Sequence, residues 1–144
     1  MTVNNRFYPD SILPFPNEAL RSNFDIIHSA EFGDGIISLT SFEPGNIVFS
    51  FTGDILQHTT LYTLQITPGK YIQDPFVMGK VLHSCDPNLL CDMQSFSFFA
   101  LKNIRPGDYL TMDYESTEDV LSRPFQCCCG TAKCRGVIKG KKLQ

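Results

Sequence analysis

Four thiols crowd one short stretch of this 144-residue chain, and three of them, Cys127, Cys129 and Cys134, form the pattern C-x-C-x4-C around Cys128. Short loops between such thiolates bring the sulfurs within tetrahedral reach of one ion, and Zn²⁺ takes four of them at roughly 2.3 Å each. A fourth ligand must come from elsewhere. Cys85 is the best candidate, upstream in the polar, turn-rich run His83-Ser84-Cys85-Asp86-Pro87-Asn88. A zinc ion held this way would close the C-terminal segment onto the middle of the chain and order a tail with little apolar surface of its own. Disulfides and buried free thiols are the competing readings. Cys128 is expected to point away from its neighbours' metal, and Cys91 is expected to be a core thiol.

Two further stretches carry reactive residue types. Gly107-Asp108-Tyr109-Leu110-Thr111-Met112-Asp113-Tyr114 ends on a tyrosine that, taken alone, is an aromatic packing on a core. Gly33-Asp34-Gly35 sets two glycines astride one residue, which permits positive φ and close backbone approach. A lone G-x-G is weak evidence, since most are only hairpin turns. His83, two residues from Cys85, is easily taken for a metal ligand or a general base, and neither role is assigned to it.

The elements that must position these residues are mostly extended. Phe24–His28 and Ile36–Leu39 read as strands about a tight turn at Gly33-Asp34-Gly35. Asn46–Thr52 alternates, with Ile47, Phe49 and Phe51 on one face, and Gly53-Asp54 ends it. Leu61–Ile66 and Lys70–Gln73 form a hairpin about Thr67-Pro68-Gly69, Ser95–Leu101 is a strand, and Tyr109–Met112 is extended. Residues 1–23 read as an irregular arm that packs Phe7, Tyr8, Leu13 and Phe15 onto the domain, with one helical turn at Asn17–Arg21. The last eight residues read as mobile. No internal repeat stands out.

Composition agrees with one folded, mostly-β domain: 42% hydrophobic residues, 19% charged, twelve Phe and no Trp. Charge is uneven. Residues 1–132 carry seven Lys/Arg against fifteen Asp/Glu, and residues 133–144 carry five Lys/Arg and no acid. An acidic body is a poor nucleic-acid surface, because phosphate binding needs many cations on one face. No apolar stretch follows a basic start and none is long enough to span a membrane. A reducing, cytoplasmic setting (nuclear in a eukaryote) is expected, and there cysteines point to metal before disulfides.

Taken in order, the motifs resemble one family. The run HSCDPN, then I-R-P-G-D-Y-L-T-M-D-Y, then C-x-C-x4-C-R-G is similar to a SET domain followed by a post-SET zinc motif. Gly33-Asp34-Gly35-Ile36, Phe42-Glu43-Pro44-Gly45-Asn46-Ile47 and Phe51-Thr52-Gly53-Asp54 resemble its opening. The resemblance implies small curved β-sheets in a β-clip, with a C-terminal pseudoknot at the HSCDPN region and a post-SET zinc site. The implied boundaries are an arm at 1–23, the SET domain at 24–122, the zinc segment at 123–138 and a tail at 139–144.

The resemblance also implies S-adenosylmethionine as cofactor and the ε-amine of a protein lysine as methyl acceptor, a histone being the acceptor the family suggests. By the same carry-over Tyr114 is the catalytic tyrosine. Gly33, Asp34, Gly35, Leu82, His83, Phe125 and Tyr114 contact the cofactor, and Phe51 and Tyr109 face the substrate. Asn88 and Pro87 close the loop, and Arg135 packs the tail. Three positions depart from the pattern. Leu82 stands where the family has Asn, Gly79-Lys80 where it has an Arg-aromatic pair, and Phe51 where it commonly has Tyr. Leucine cannot bond the polar end of the cofactor, a loss of about 1.5–3 kcal/mol. The alternative expectation is therefore a SET-like domain whose chemistry is lost or changed, acting as a binding module or on a small molecule.

Overall fold

A computed structural model describes residues 5–31, 33–121, 124–127 and 129–140. Among the described residues, twelve short strands are paired into five small sheets rather than one continuous layer. In chain order they are β1 (Phe24–Ser29), β2 (Gly33–Ser38), β3 (Ile47–Ser50), β4 (Asp54–Leu56), β5 (Thr63–Thr67) and β6 (Lys70–Gln73). Then follow β7 (Leu82–His83), β8 (Leu89–Asp92), β9 (Ser97–Ala100), β10 (Thr111–Met112), β11 (Phe125–Gln126) and β12 (Val137–Ile138). Two 3-10 turns, Met78–Lys80 and Tyr114–Ser116, immediately precede β7 and follow β10.

The core is aromatic. Phe49 and Phe98, both 0% exposed, meet across β3 and β9 with ring centroids 5.0 Å apart. Phe24 adds an edge-on contact to Phe49 at 5.5 Å. Leu89 of β8 is buried beneath the same sheet, whose order is β3-β9-β8. A second three-stranded sheet, β4-β6-β5, carries the hairpin expected at Thr67-Pro68-Gly69. Its turn needs the left-handed φ of +79° at Gly69, which glycine adopts without a Cβ clash.

Several local expectations are corrected. Gly33-Asp34-Gly35 is not the turn: it begins β2, with Gly33 opposite Ser29 and Gly35 opposite Ile27. Asn17–Arg21 does not make a helical turn. Asn17 has φ +62°, Glu18 bridges to Ser50 and Leu20 to Arg6, so this stretch is tied down by extended pairing. In the arm, Phe7 and Tyr8 are buried, whereas Leu13 is 81% exposed. Val48 is buried along with Phe49, because a register irregularity between Ile47 and Phe49 breaks simple alternation. Ile138 is 0% exposed and pairs with Phe125, and Gly140 is buried, so the chain is held this far although Val137 is exposed; residues 141–144 and Cys128 lie outside the described residues.

Candidate functional site

The site forms where two remote segments run side by side. β7 and β10 pair in parallel, Leu82 beside Thr111 and His83 beside Met112. Beyond β7, the Ser84 N–H donates to the Met112 carbonyl at 3.0 Å. Asn88 then takes over from the backbone ladder. Its amide nitrogen donates to the Tyr109 carbonyl at 2.9 Å, and its amide oxygen accepts the Thr111 N–H at 2.9 Å. An asparagine side chain copies the donor and acceptor of a peptide unit, so it extends a ladder where strand geometry has ended.

Tyr114 leaves β10 into the 3-10 turn Tyr114–Ser116, capped by the Asp113 carboxylate, which accepts the Glu115 N–H at 3.0 Å. The Tyr114 hydroxyl donates to the Val81 carbonyl at 2.6 Å. Its own N–H donates to Nδ1 of His83 at 3.0 Å. That contact fixes the tautomer: Nδ1 is the acceptor, so the proton sits on Nε2, which faces Cys85 Sγ at 3.4 Å. Burial lowers the His83 pKa, opposed by Asp113, and burial raises that of Tyr114. Both shifts favour the neutral forms. Phe125 completes an aromatic trio, 5.6 Å from His83 and 6.0 Å from Tyr114.

A cavity of about 300 Å³ opens beside this trio. Tyr114, Phe125, Val81, Met78, Gly79 and Glu118 are on its wall, which is otherwise mostly apolar. Of the residues expected at the site, only Tyr114 and Phe125 line this space. Gly35 lies against a different patch, where an added Cβ would fall 2.9 Å from Leu82 Cδ1 and 3.1 Å from Tyr109 Cε1. Gly35, Leu82 and Tyr109 are thus packed together. Asp34 is engaged by Lys80 at 2.6 Å and by Nδ1 of His28.

The two residues expected to face the substrate lie apart from this cavity. Phe51 is 3% exposed, with its ring 5.7 Å from Phe96 and 5.2 Å from Phe98; it is a core residue with no face to offer. Tyr109 covers Gly35 and is not among the residues lining the cavity.

The four predicted thiols do meet. Cys85, Cys127, Cys129 and Cys134 bring their sulfurs within 4.8 Å of one another. Cys85 and Cys127 are 3.8 Å apart. Tetrahedral Zn–S bonds of roughly 2.3 Å place sulfurs about 3.8 Å apart, so the cluster fits a zinc ion. The Thr131 hydroxyl holds Cys129 well below an ordinary thiol, whereas burial pushes its neighbour Cys127 up to about 12. Cys91 is elsewhere, packed against the core, where burial pushes its thiol up to about 12.

The thiols are also stitched to the turn that carries Tyr114. The Arg135 N–H donates to Cys85 Sγ at 3.3 Å, while its guanidinium reaches Asp113 at 2.6 Å and Glu115 at 3.0 Å. The other oxygen of Glu115 accepts the N–H groups of Lys139 and Gly140 at 3.2 and 3.0 Å. Sequence reasoning missed Glu115, because its partners, the Arg135 guanidinium and two backbone N–H groups, lie at least 20 positions away and no motif advertises them.

Fold and site together define a class. The SET domain family model matches residues 33–115, and the chain belongs to the SET domain family. It is 35% identical over 109 residues to Methyltransferase flvH of Aspergillus flavus, covering 73% of this chain and 61% of that one. It is 27% identical over 141 residues to the human Histone-lysine N-methyltransferase EHMT1, covering 81% of this chain and 11% of that one. Among solved structures it resembles KRYPTONITE in complex with mCHG DNA and SAH. There the TM-score is 0.66 at 26% identity, over 80% of this chain and 28% of that chain. The chain therefore spans less than two thirds of these relatives.

Proposed function

We propose that the chain transfers a methyl group from S-adenosylmethionine to the ε-amine of a lysine in a protein or peptide. The observation that carries this reading is the Tyr114 hydroxyl, pinned at 2.6 Å to the Val81 carbonyl on the wall of a mostly apolar cavity. SAH in the KRYPTONITE structure and an H3 peptide in a second one support the cofactor and acceptor classes.

When bound, the cofactor supplies a sulfonium-borne methyl group. In the transfer the N–CH₃ bond forms as the S–CH₃ bond breaks, leaving a neutral thioether. The amine must first lose a proton. With a pKa of about 10.4, that costs about 4.6 kcal/mol at pH 7. Desolvation against Leu64, Met78, Val81 and Phe125 lowers this cost, since burial disfavours the ammonium. Tyr114 spends its proton on Val81, so its lone pairs are left to accept an amine N–H and orient the nitrogen. His83 offers no free basic nitrogen, because Nδ1 is bonded to the Tyr114 N–H. Gly33, Gly35, Leu82, His83 and Phe125 would hold the cofactor, with Phe125 providing an aromatic face.

A second reading rests on Leu82. A side chain that cannot hydrogen-bond the cofactor's charged end favours a SET domain with changed chemistry: a different acceptor or a binding role. Incubation with labelled S-adenosylmethionine and H3 peptide, with Tyr114→Phe as control, separates the two. The first reading expects label on peptide lysine and its loss in the variant. Micromolar cofactor binding without label on any peptide would favour a different acceptor, and no cofactor binding would favour the binding role.

A further inference from the structure

Asp74 directly follows β6, is 0% exposed and is among the most heavily bonded of the described side chains. Its carboxylate accepts the N–H groups of Phe76, Val77 and Met78 at 2.8, 3.0 and 3.2 Å. Its carbonyl accepts the N–H of Gly79 at 2.8 Å. One residue thus holds both ends of the turn that becomes the 3-10 segment Met78–Lys80. The next residue is Val81, whose carbonyl receives the Tyr114 hydroxyl. Met78, Gly79 and Val81 all line the cavity.

The fourth donor to the Asp74 carboxylate comes from outside the matched SET region. The hydroxyl of Tyr8, in the N-terminal arm, donates to it at 2.5 Å, across 66 positions of sequence. Tyr8 is 1% exposed, its ring meets Phe15 and Phe76, and its oxygen accepts the Thr52 N–H at 3.4 Å. The arm that delivers it is itself anchored. Arg6 pairs with Glu18 at 2.6 and 2.9 Å and reaches the Ile12 carbonyl at 2.6 Å, while the Asn17 carbonyl accepts the Ser50 N–H at 2.8 Å.

We propose that Tyr8 is a positioning residue for the site: through Asp74 it fixes the 3-10 segment, and through the Val81 carbonyl it sets where the Tyr114 hydroxyl lies. A buried carboxylate with one donor removed must recruit another or shift. Among the described residues, the other donors to that carboxylate all lie in the turn that leads into the cavity wall. The arm is therefore part of the site's working structure, not merely a wrapping on the domain.

The test reads Tyr114 directly and needs no turnover. Protein is prepared with ring-labelled ¹³C-tyrosine, and the Tyr114 resonance is assigned by its loss in Tyr114→Phe. Tyr8→Phe removes only the hydroxyl. It is expected to move the Tyr114 resonance and to speed amide exchange at Phe76, Val77 and Met78 about tenfold relative to Phe98. Asp74→Asn, which weakens the same bond from the other side, is expected to move the same resonance. Phe24→Leu, a core change whose ring meets Phe42 and Phe49 and neither Tyr8 nor Phe76, is the control for simple destabilisation. An unmoved Tyr114 resonance in Tyr8→Phe, or an equal displacement in Phe24→Leu, overturns the proposal. Failure of wild-type protein to methylate anything would count against the function proposed above and leave this test intact.

Discussion

Gly79 stands where the family pattern has an arginine, and the structure supplies a reason. A Cβ at this position would lie 2.4 Å from the Asp74 carbonyl oxygen and 2.8 Å from Tyr62 Cβ. The first neighbour is backbone, already held by the Gly79 N–H, and it cannot rotate away. Gly79→Ala must therefore push the turn off Asp74. Overpacking of this kind costs about 1–3 kcal/mol. Losing the Gly79 N–H bond to Asp74 adds about 0.5–1.5 kcal/mol. The stiffer unfolded chain returns about 0.4–1 kcal/mol. The net loss is about 1–3 kcal/mol, which for a chain of this size lowers the melting temperature by roughly 3–10 °C. Thermal unfolding followed by circular dichroism measures it, with Gly45→Ala for comparison, since nothing lies within 4 Å of a Cβ there although its φ of +90° carries a strain of its own. A Gly79→Ala protein that melts within a degree of wild type would refute the claim that this turn has no room for a side chain.

Protein purified without added metal should contain about one zinc per chain by elemental analysis. Its removal, or Cys134→Ser, should speed amide exchange at Lys139 and Gly140, which are bonded to Glu115; oxidised, metal-free cysteines would refute the site. Leu82→Asn should tighten S-adenosylmethionine binding about tenfold or more by calorimetry, through one restored hydrogen bond to a charged group. Unchanged affinity would mean that packing against Gly35 and Tyr109, not the missing amide, limits the pocket. The Lys80 ammonium, then His28, holds Asp34 below its ordinary 3.8. A carboxylate depressed in the folded state contributes stability above its unfolded pKa, and that contribution is lost as pH falls through the folded value. Lys80→Met should raise the Asp34 titration midpoint, read from its carboxyl ¹³C shift, and remove this contribution to acid stability. A midpoint that does not move would show that Lys80 is not its partner in solution.

How much was legible depended on whether the signal was local. The hairpin of β5 and β6 was readable because Thr67-Pro68-Gly69 carries its own turn chemistry. β1 was readable from a compact apolar run. β4 and β8 were not, since each is three or four residues long and is held by partners elsewhere, β6 and β9. Gly33-Asp34-Gly35 looked like a turn because glycine favours turns. It is a strand start because β1 supplies a ladder that overrides the propensity. Phe51 and Tyr109 were assigned to a substrate face by motif alone. Alternation along a strand does not say which face a second sheet will cover.

Residue type and spacing determined that a G-x-G, an HSCDPN run and a terminal Asp-Tyr belong to one SET domain, and that four thiols could share one ion, because a motif's order and a ligand set's spacing are written in the chain itself. Tertiary structure decided that the Tyr114 hydroxyl rests on Val81, that His83 carries its proton on Nε2, and that an arm tyrosine closes on Asp74. Those facts depend on hydrogen bonds between groups tens of residues apart, many of them to backbone atoms that every residue possesses. Side-chain identity alone cannot encode them.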